Sequence, residues 1–453
     1  MDISIVLAAG EGTRMKSKIP KVLHKICGKE IIKYVIEASQ GANIDKCILI
    51  LGHGRDEVIE SLKDNDVIFE NQPIGDSFPY GTGFAVMQGV HHVNDGDTVL
   101  ILNGDVPLIC SHTLKAFMDF HKKEEAAVSV MTAIFQNSHG YGRIVREETG
   151  EVTAIVEEKD ATEFEKDIKE INSGIYCFSG KELKRTLTRL DTNNSQNEYY
   201  ITDAVGLLKN EGKKVCGFRI DDVMEISGIN NRYQQYQLNH HKQLEINKNH
   251  MINGVTIIDS HNTYIDDSVM IEKDVIIYPG TVLQGTTSIS EGCIIGPNVT
   301  IVDCKIGHDT IIEQSKLIDS FVGNNSSVGP FAYLRPKSNI GDHVKIGDFV
   351  EVKNTTVGNG SKASHLAYLG DGEVGENVNI GCGVIFVNYD GTHKQLTKIG
   401  DNAFIGSNAN LVAPVTIEKG AYIACGSTIT DDVGEGMLAI ARSRQVNKEK
   451  KNQ

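Results

Sequence analysis

Two glycines, one acidic residue and four cations crowd the turn after the first apolar run. The stretch is "LAAGEGTRMKSKIPKVLH", Leu7 to His24, with Arg14, Lys16, Lys18 and Lys21 within eight positions. Glycines let backbone N–H groups approach a phosphate, and Arg14 and Lys21 can neutralise its charge. The turn is not a dinucleotide fingerprint, because its third glycine would fall at Met15, and it lacks the GK[ST] of a Walker loop. Alone it reads equally well as a structural turn. A second strand end, "VLILNGDVPLI" (Val99–Ile109), adds the carboxylate of Asp105. Magnesium takes one or two protein oxygens plus substrate phosphates. Arg14, Lys21 and Asp105 together point to nucleotide chemistry with Mg²⁺; the alternative is that Asp105 only caps the turn before Pro107.

A second constellation surrounds His365 in "GSKASHLAYLGD" (Gly360–Asp371). A lone histidine is more often structural, but this one has polar company. Arg335 follows "FAYL", Lys353 follows "FVEV", Tyr368 is three residues on, and Asn379 and Asn388-Tyr389-Asp390 come after. Acylation of an amine needs a base, and neutral imidazole suits that task.

These groups belong to two textures of sequence. Residues 1–228 alternate strand-like runs (Ile3–Leu7, Cys47–Leu51, Val99–Leu102, Val128–Ala133) with helical stretches such as Ile31–Ala38, which predicts an α/β fold with a mostly parallel sheet. In such a sheet ligands lie beyond the carboxyl ends of the strands, where both phosphate-binding candidates fall. The charge run "HKKEEAA" (His121–Ala127) reads as solvated surface. Residues 229–250 predict a connecting helix, with Ile229, Tyr233, Tyr236, His240 and Leu244 as its apolar stripe. His240-His241 lack a carboxylate or cysteine at matching spacing and read as part of that helix.

From residue 251 onward the period becomes six. Ile271, Ile277, Leu283, Ile289, Ile295 and Ile301 begin the series; Ile306, Ile312 and Ile318 follow a slip, and it runs on to Ile429. Neither helix nor hairpin keeps such a period. It predicts a hexapeptide β-helix of three short strands per coil, left-handed as such prisms are, with about ten coils stacked ~4.8 Å apart. The one large break, "FVNYDGTHKQLTK" between Phe386 and Ile399, predicts an extruded loop carrying Asn388, Tyr389, Asp390 and Lys394.

The chain has 453 residues and a net charge of −15, which suits two or three domains and argues against nucleic-acid binding. Nine cysteines stand without a CxxC pair, and no run approaches 18 apolar residues. A cytoplasmic protein without membrane association is expected.

The motifs "LAAGEGTRM…PKVLH", "YGTGFAV", "NGDVPLI", "GYGRI", "IVEEKDAT", "EINSGIY", "NEYYITD" and "GINNR" occur in this order. Together they resemble those of sugar-1-phosphate nucleotidyltransferases. With the hexapeptide half, the chain resembles the bifunctional N-acetylglucosamine-1-phosphate uridyltransferase/glucosamine-1-phosphate acetyltransferase family, from Ile3 to about Arg442. The resemblance implies a Rossmann-like uridyltransferase domain joined by a helix to a left-handed β-helix acetyltransferase domain that assembles as a homotrimer. UTP and acetyl-CoA would be co-substrates, with one or two Mg²⁺ ions. Arg14 and Lys21 would hold the triphosphate, and Asp105 and Asn230 would ligate the metal. Leu7, Ala8, Gly10, Gln72, Gly81 and Thr82 match nucleotide positions, and Gly142, Glu157 and Asn172 match sugar positions.

On the β-helix the resemblance makes His365 the general base and gives the acceptor's phosphate to Arg335 and Lys353. Tyr368, Asn379, Asn388 and Tyr389 would orient the sugar and acyl group. Ser407 matches a position near the reacting centre. Cys382, Cys425, Lys394 and Arg442 match the coenzyme A side, and the two thiols are expected to pack as small side chains. Glu11, Asn103 and Phe84 depart from the family's usual lysine, tyrosine and histidine, and residues 73–80 look like an insertion after Gln72. The rival readings are a single-function nucleotidyltransferase with a structural β-helix and a non-enzymatic assembly subunit; the first should lack His365 and its company, the second Arg14, Lys21 or Asp105.

Overall fold

The computed structural model describes residues 1–75 and 77–449. The chain divides into two compact units, the boundary falling between Lys242 and Gln243.

The first unit is built on a nine-stranded mixed sheet. Its strands are β1 (Asp2–Ala8), β2 (Lys46–Leu51), β3 (Ile68–Asn71), β4 (Thr98–Asn103), β5 (Val128–Ile134), β6 (Arg143–Arg146), β7 (Val152–Val156), β8 (Glu170–Ser179) and β9 (Val215–Arg219). The order is β9-β5-β8-β4-β1-β2-β3, with the β6–β7 hairpin attached through β8. β1 is central and pairs in parallel with β2 and β4. Its alternation fills both faces: Ile3 and Ile5 point to one side, Val6 and Ala8 to the other. Helices α1 (Ile31–Gly41), α2 (Arg55–Ser61) and α4 (Ser111–Lys123) cover the second of these faces. α3 (Thr82–Gly89), α5 (Gly180–Leu187) and α6 (Asp203–Asn210) cover the first.

The mostly parallel expectation needs one refinement. β8 runs antiparallel between β4 and β5, so its beginning lies at the edge where its neighbours end. Its register shifts between Asn172 and Tyr176, and Gly174 there has φ +77°.

α7 (Arg232–Ile252) crosses the unit boundary. Its expected apolar stripe is not its buried face: Tyr233 and Tyr236 are 67% and 63% exposed and stack with His240 on the outside. The buried residues are Leu238, Gln243, Ile246 and Asn247. The Gln243 and Asn247 amides donate to the carbonyls of Ser260, His261 and Thr263, so hydrogen bonds replace apolar contact at the first coil. The charge run at His121 also departs from a purely solvated reading. His121 is buried with Nδ1 2.9 Å from Ser129 Oγ, and burial lowers its pKa to about 4.

The second unit is a parallel β-helix in which each short strand pairs with the third one after it, giving three strands per coil. Leu283 lies over Ile301 and Ile301 over Leu317; Ile277 lies over Ile295, and Ile295 over Ile312. These residues are fully buried and form the ladder that fills the prism. The period slips at one point: Leu317 is inward there, and the expected Ile318 is only half-buried. Coils of 16 to 18 residues tolerate that slip because each corner adds or drops a turn residue. Asn and Asp supply many of those corners in the left-handed region, for example Asn298, Asp303 and Asn325. Among the described residues no helix is long and apolar enough to cross a membrane.

Candidate functional sites on the sheet edge and on the prism

The carboxyl ends of β1, β3 and β4 converge on a cleft of about 300 Å³ lined by Leu7, Ala8, Gly10, Lys21, Gln72, Gly81, Thr82, Asn103 and Asp105. The six residues matched to nucleotide positions and Lys21 lie in this lining; Arg14 does not. Gln72 follows β3 directly, its N–H held by Leu51 O at 2.7 Å, so it reaches the cleft ahead of the insertion at 73–80. Tyr80, at the end of that insertion, joins the lining with Glu198. Phe84 faces inward from α3 only partly, and Glu11 is exposed.

Gly81 shows why its position admits no side chain. Its φ is +117°, and a Cβ would stand 2.4 Å from Tyr199 O. Gly81→Ala is expected to lower the denaturation midpoint and raise the KM for UTP severalfold, since strain of this kind costs about 1–3 kcal/mol. Gly212→Ala, at φ +73° with open space around it, tests strain alone and should leave that KM unchanged.

A second cavity of about 220 Å³ shares Leu7, Thr82, Asn103 and Asp105 with the first and adds Gly142, Glu157, Asn172 and Asn230. The antiparallel direction of β8 brings Asn172 here, and Asn172 N–H donates to Gly142 O at 2.9 Å. Asn172 is buried, with its amide donating to Tyr176 Oη at 2.7 Å. Burial pushes the Glu157 carboxyl up, and Asp203, Asp160 and Glu198 add to this against the hydrogen bond with Thr202. Burial likewise raises Asp203 to about 6. The larger cleft therefore opens into a smaller one lined by polar side chains.

Asp105 and Asn230 stand at the junction. Lys21 Nζ lies 2.5 Å from Asp105 Oδ2 and 3.4 Å from Asn230 Oδ1, and Arg14 Nη2 donates to the same Asn230 oxygen at 2.9 Å. Two hard oxygens 209 and 84 positions along the chain from Lys21 thus converge on its ammonium. An oxygen-only pair of carboxylate and amide fits Mg²⁺ and would suit a thiophilic metal poorly.

On the prism, the strands Lys345–Val357 and Lys362–Val374 lie in register, placing Asp348 directly beneath His365. His365 Nδ1 is 2.7 Å from Asp348 Oδ1, and the imidazole is 61% exposed. The hydrogen bond from His365 holds the Asp348 carboxyl below its usual range. An ionised carboxylate only accepts, so the proton sits on Nδ1 and the Nε2 lone pair is free. Leu366, next to the histidine, turns the corner at φ +34°, a conformation a leucine side chain resists. Phe331 and Phe349 occupy the same corner of the preceding coils at φ +58° and +57°, their rings 5.4 Å apart and stacked. All three are more than half exposed, an apolar column beside the imidazole.

A polar cluster lies on the neighbouring face. Asp371 is its hub: Lys353 Nζ approaches at 2.9 Å, Asn354 Nδ2 at 2.8 Å and Asn388 Nδ2 at 2.5 Å. Burial would raise the Asp371 carboxyl, but the hydrogen bonds from Asn354, Lys353 and Asn388 outweigh it and hold it low. Asn388 Nδ2 also reaches Tyr368 Oη at 3.5 Å. Arg335 Nη1 pairs with Glu351 at 2.9 Å, one coil below Tyr368. Lys394 lies next to the Lys353 ammonium, and the proximity of Lys353, with Arg335 contributing, holds Lys394 below its ordinary value. The extruded loop therefore returns a third cation to the cluster rather than carrying it away.

Asp348, Asp371 and Glu351 were not candidates from the sequence. Their signal was the coil length: Asp348 stands 17 residues before His365, one coil below it. Asn379 pairs with Phe404 one coil above it and is half-buried, Tyr389 is exposed, and Ser407 and Arg442 lie on the surface. Cys382 and Cys425 are exposed rather than packed, because each occupies an outward turn between strands.

A cation-lined cleft at the sheet edge followed by hexapeptide coils is the architecture of a nucleotidyltransferase joined to a hexapeptide-repeat transferase. Comparison with known proteins agrees: residues 3–224 match the nucleotidyl transferase family, 261–357 the GMPPB C-terminal domain, and 396–431 the bacterial transferase hexapeptide repeats. The chain is 52% identical to the bifunctional protein GlmU of Clostridioides difficile (strain 630), covering 99% of this chain and 98% of that one. It is 49% identical to that of Alkaliphilus metalliredigens (strain QYMF), over 98% and 97%, and 50% identical to that of Geobacillus sp. (strain WCH70), over 98% and 96%. The chain belongs to this GlmU family, with its left-handed β-helix. It is a bifunctional enzyme of UDP-N-acetylglucosamine synthesis, transferring acetyl from acetyl-CoA to glucosamine-1-phosphate and uridylyl from UTP to N-acetylglucosamine-1-phosphate. The single-function reading is not favoured.

Proposed function

We propose that uridylyl transfer takes place where the two clefts of the first unit meet and acetyl transfer beside His365. In the first, the nucleotide occupies the larger cleft between Gly10, Gln72 and Gly81, and the sugar occupies the smaller one among Gly142, Glu157 and Asn172. The sugar phosphate then attacks the α-phosphorus in line, and pyrophosphate leaves toward Arg14 and Lys21. These cations stabilise charge as it accumulates, which is most of what such a transfer requires. Asp105 and Asn230 hold Mg²⁺, which neutralises phosphate charge when bound. The convergence of Lys21, Arg14, Asp105 and Asn230 at the cleft junction carries this reading. Chelating divalent ions with EDTA is expected to abolish uridylyl transfer and leave acetyl transfer unchanged, with Mg²⁺ restoring the loss. Equal inhibition of both activities would oppose it.

In the second site, His365 Nε2 takes the proton of the attacking glucosamine amine while Asp348 keeps the ring's other proton on Nδ1. Arg335, Lys353 and Lys394 receive the acceptor's phosphate. Tyr368, Asn379 and Asn388 orient the sugar and acyl group, and Tyr389, Ser407, Cys382, Cys425 and Arg442 face the coenzyme. The grouping of Lys394 with Lys353 and Arg335, whose charges lower Lys394, supports an anion site there, because a bound phosphate would favour the charged ammonium. The exposed column of Phe331, Phe349 and Leu366 beside the base supports a homotrimer in which a neighbouring prism covers it. Residues 1–228 form the uridyltransferase domain, 229–250 the linker and 251–453 the acetyltransferase domain.

A further inference from the structure

Beyond both reaction centres, one cluster joins metal-ligating side chains with no part in either. His91 and His92 are consecutive in the short helix that follows α3, Val90–His92. Both rings turn to one oxygen on the edge strand β3: Glu70 Oε1 lies 2.7 Å from His92 Nε2 and 3.3 Å from His91 Nε2. The two ring centroids are 4.0 Å apart. One donor atom from each residue falls within 4.8 Å of the others, and among the described residues this is the one group of three or more His, Cys, Asp or Glu to do so. Tetrahedral or five-coordinate metals hold their donors at about 2.0–2.2 Å from the ion, so such donors stand roughly 3–3.5 Å from one another. Of the observed separations 3.3 Å lies in that range, and 2.7 Å, a hydrogen bond between Glu70 and His92, lies just below it. Consecutive histidines usually diverge; here both converge on a single carboxylate.

We propose that Glu70, His91 and His92 form a binding site for a divalent transition cation, Zn²⁺ by donor set. Two imidazoles and a carboxylate suit zinc, and the half-exposed face leaves room for water as a further ligand. Magnesium, which prefers oxygen, does not compete. The site also has a place in the fold. Glu70 lies two residues before Gln72, and His91 lies two residues after the end of α3, the helix that opens at Gly81-Thr82. An ion here ties together the two chain segments that bring Gln72 and Gly81 to the nucleotide cleft, closing the intervening loop as a cross-link would. The site is therefore a structural clamp on the edge of the sheet, not a third reaction centre.

The test uses the full chain freed of metal with chelator, then dialysed into a non-coordinating buffer at pH 7.5 containing millimolar Mg²⁺. Isothermal titration with ZnCl₂ is expected to show one equivalent bound and the thermal midpoint to rise on its addition. His92→Gln and Glu70→Gln should each weaken that binding at least about ten-fold, since losing a direct ligand costs no less than losing a supporting one. Circular dichroism and the zinc-free thermal midpoint of each variant establish that it folds; should His92→Gln not fold, Glu70→Gln and His91→Gln carry the comparison. Zinc binding of unchanged affinity and stoichiometry in folded variants, or none in the unaltered chain, overturns the proposal. Neither result bears on uridylyl or acetyl transfer, which are measured separately with Mg²⁺ alone.

Discussion

Replacing His365 with alanine is expected to lower acetyl transfer by about 10²–10⁴, the usual contribution of a positioned general base. The physical grounds are in the coil. Asp348 accepts from Nδ1 at 2.7 Å, which leaves Nε2 as the basic nitrogen on an exposed ring. Truncating an exposed side chain removes little packing, so the thermal midpoint should shift by no more than a degree or two. Release of coenzyme A thiol from glucosamine-1-phosphate and acetyl-CoA measures the loss. Pyrophosphate release from UTP and N-acetylglucosamine-1-phosphate should stay at its original rate, because its site is built within the other compact unit and shares no partner with His365. An acetyl-transfer rate within threefold of the unaltered enzyme would remove the imidazole from the chemistry.

The converse variant, Asp105→Ala, is expected to lower uridylyl transfer at least about 10²-fold, comparable to deleting one preorganised electrostatic group. Two effects act together. A hard oxygen ligand is lost, and Lys21 loses the carboxylate 2.5 Å from its ammonium. Both partners are largely covered, at 16% exposure each, so the freed cation is drawn toward Asn230 and away from its phosphate-binding position. Asp105→Asn keeps the shape and the smaller perturbation, and should lose nearly as much because the charge is what matters. Acetyl transfer should be unaffected in both variants.

The two halves of the molecule were legible in the sequence to different depths. The hexapeptide ladder could be read almost residue by residue, because the aliphatic residue at every sixth position must point inward when three flat faces close a coil. It failed at Ile318, where Leu317 takes the inward place because a corner there drops a residue. The nucleotide candidates were legible because parallel strands deliver their loops to one edge; the antiparallel β8 was not, since nothing local in "EINSGIYCFS" states its direction. Asp348 and Asp371 were hidden for a related reason. Their partners come from adjacent coils, and only the coil length connects them. On α7 the aromatic spacing was real but misleading: the tyrosines stack on each other outside while Gln243 and Asn247 are buried by hydrogen bonds. Periodicity reports which residues share a face, not which face is covered.

Two independent centres in one chain are tested most directly by mixing the two singly impaired variants. Glucosamine-1-phosphate, acetyl-CoA, UTP and Mg²⁺ are supplied to His365→Ala, to Asp105→Ala and to their mixture, and products are identified by mass. Each variant alone should make UDP-N-acetylglucosamine at least about 10²-fold more slowly than the unaltered enzyme, Asp105→Ala should accumulate N-acetylglucosamine-1-phosphate, and the mixture should restore the synthesis as that intermediate passes between molecules. A mixture that makes no UDP-N-acetylglucosamine, or a single variant that has lost both half-reactions, would contradict two separate sites.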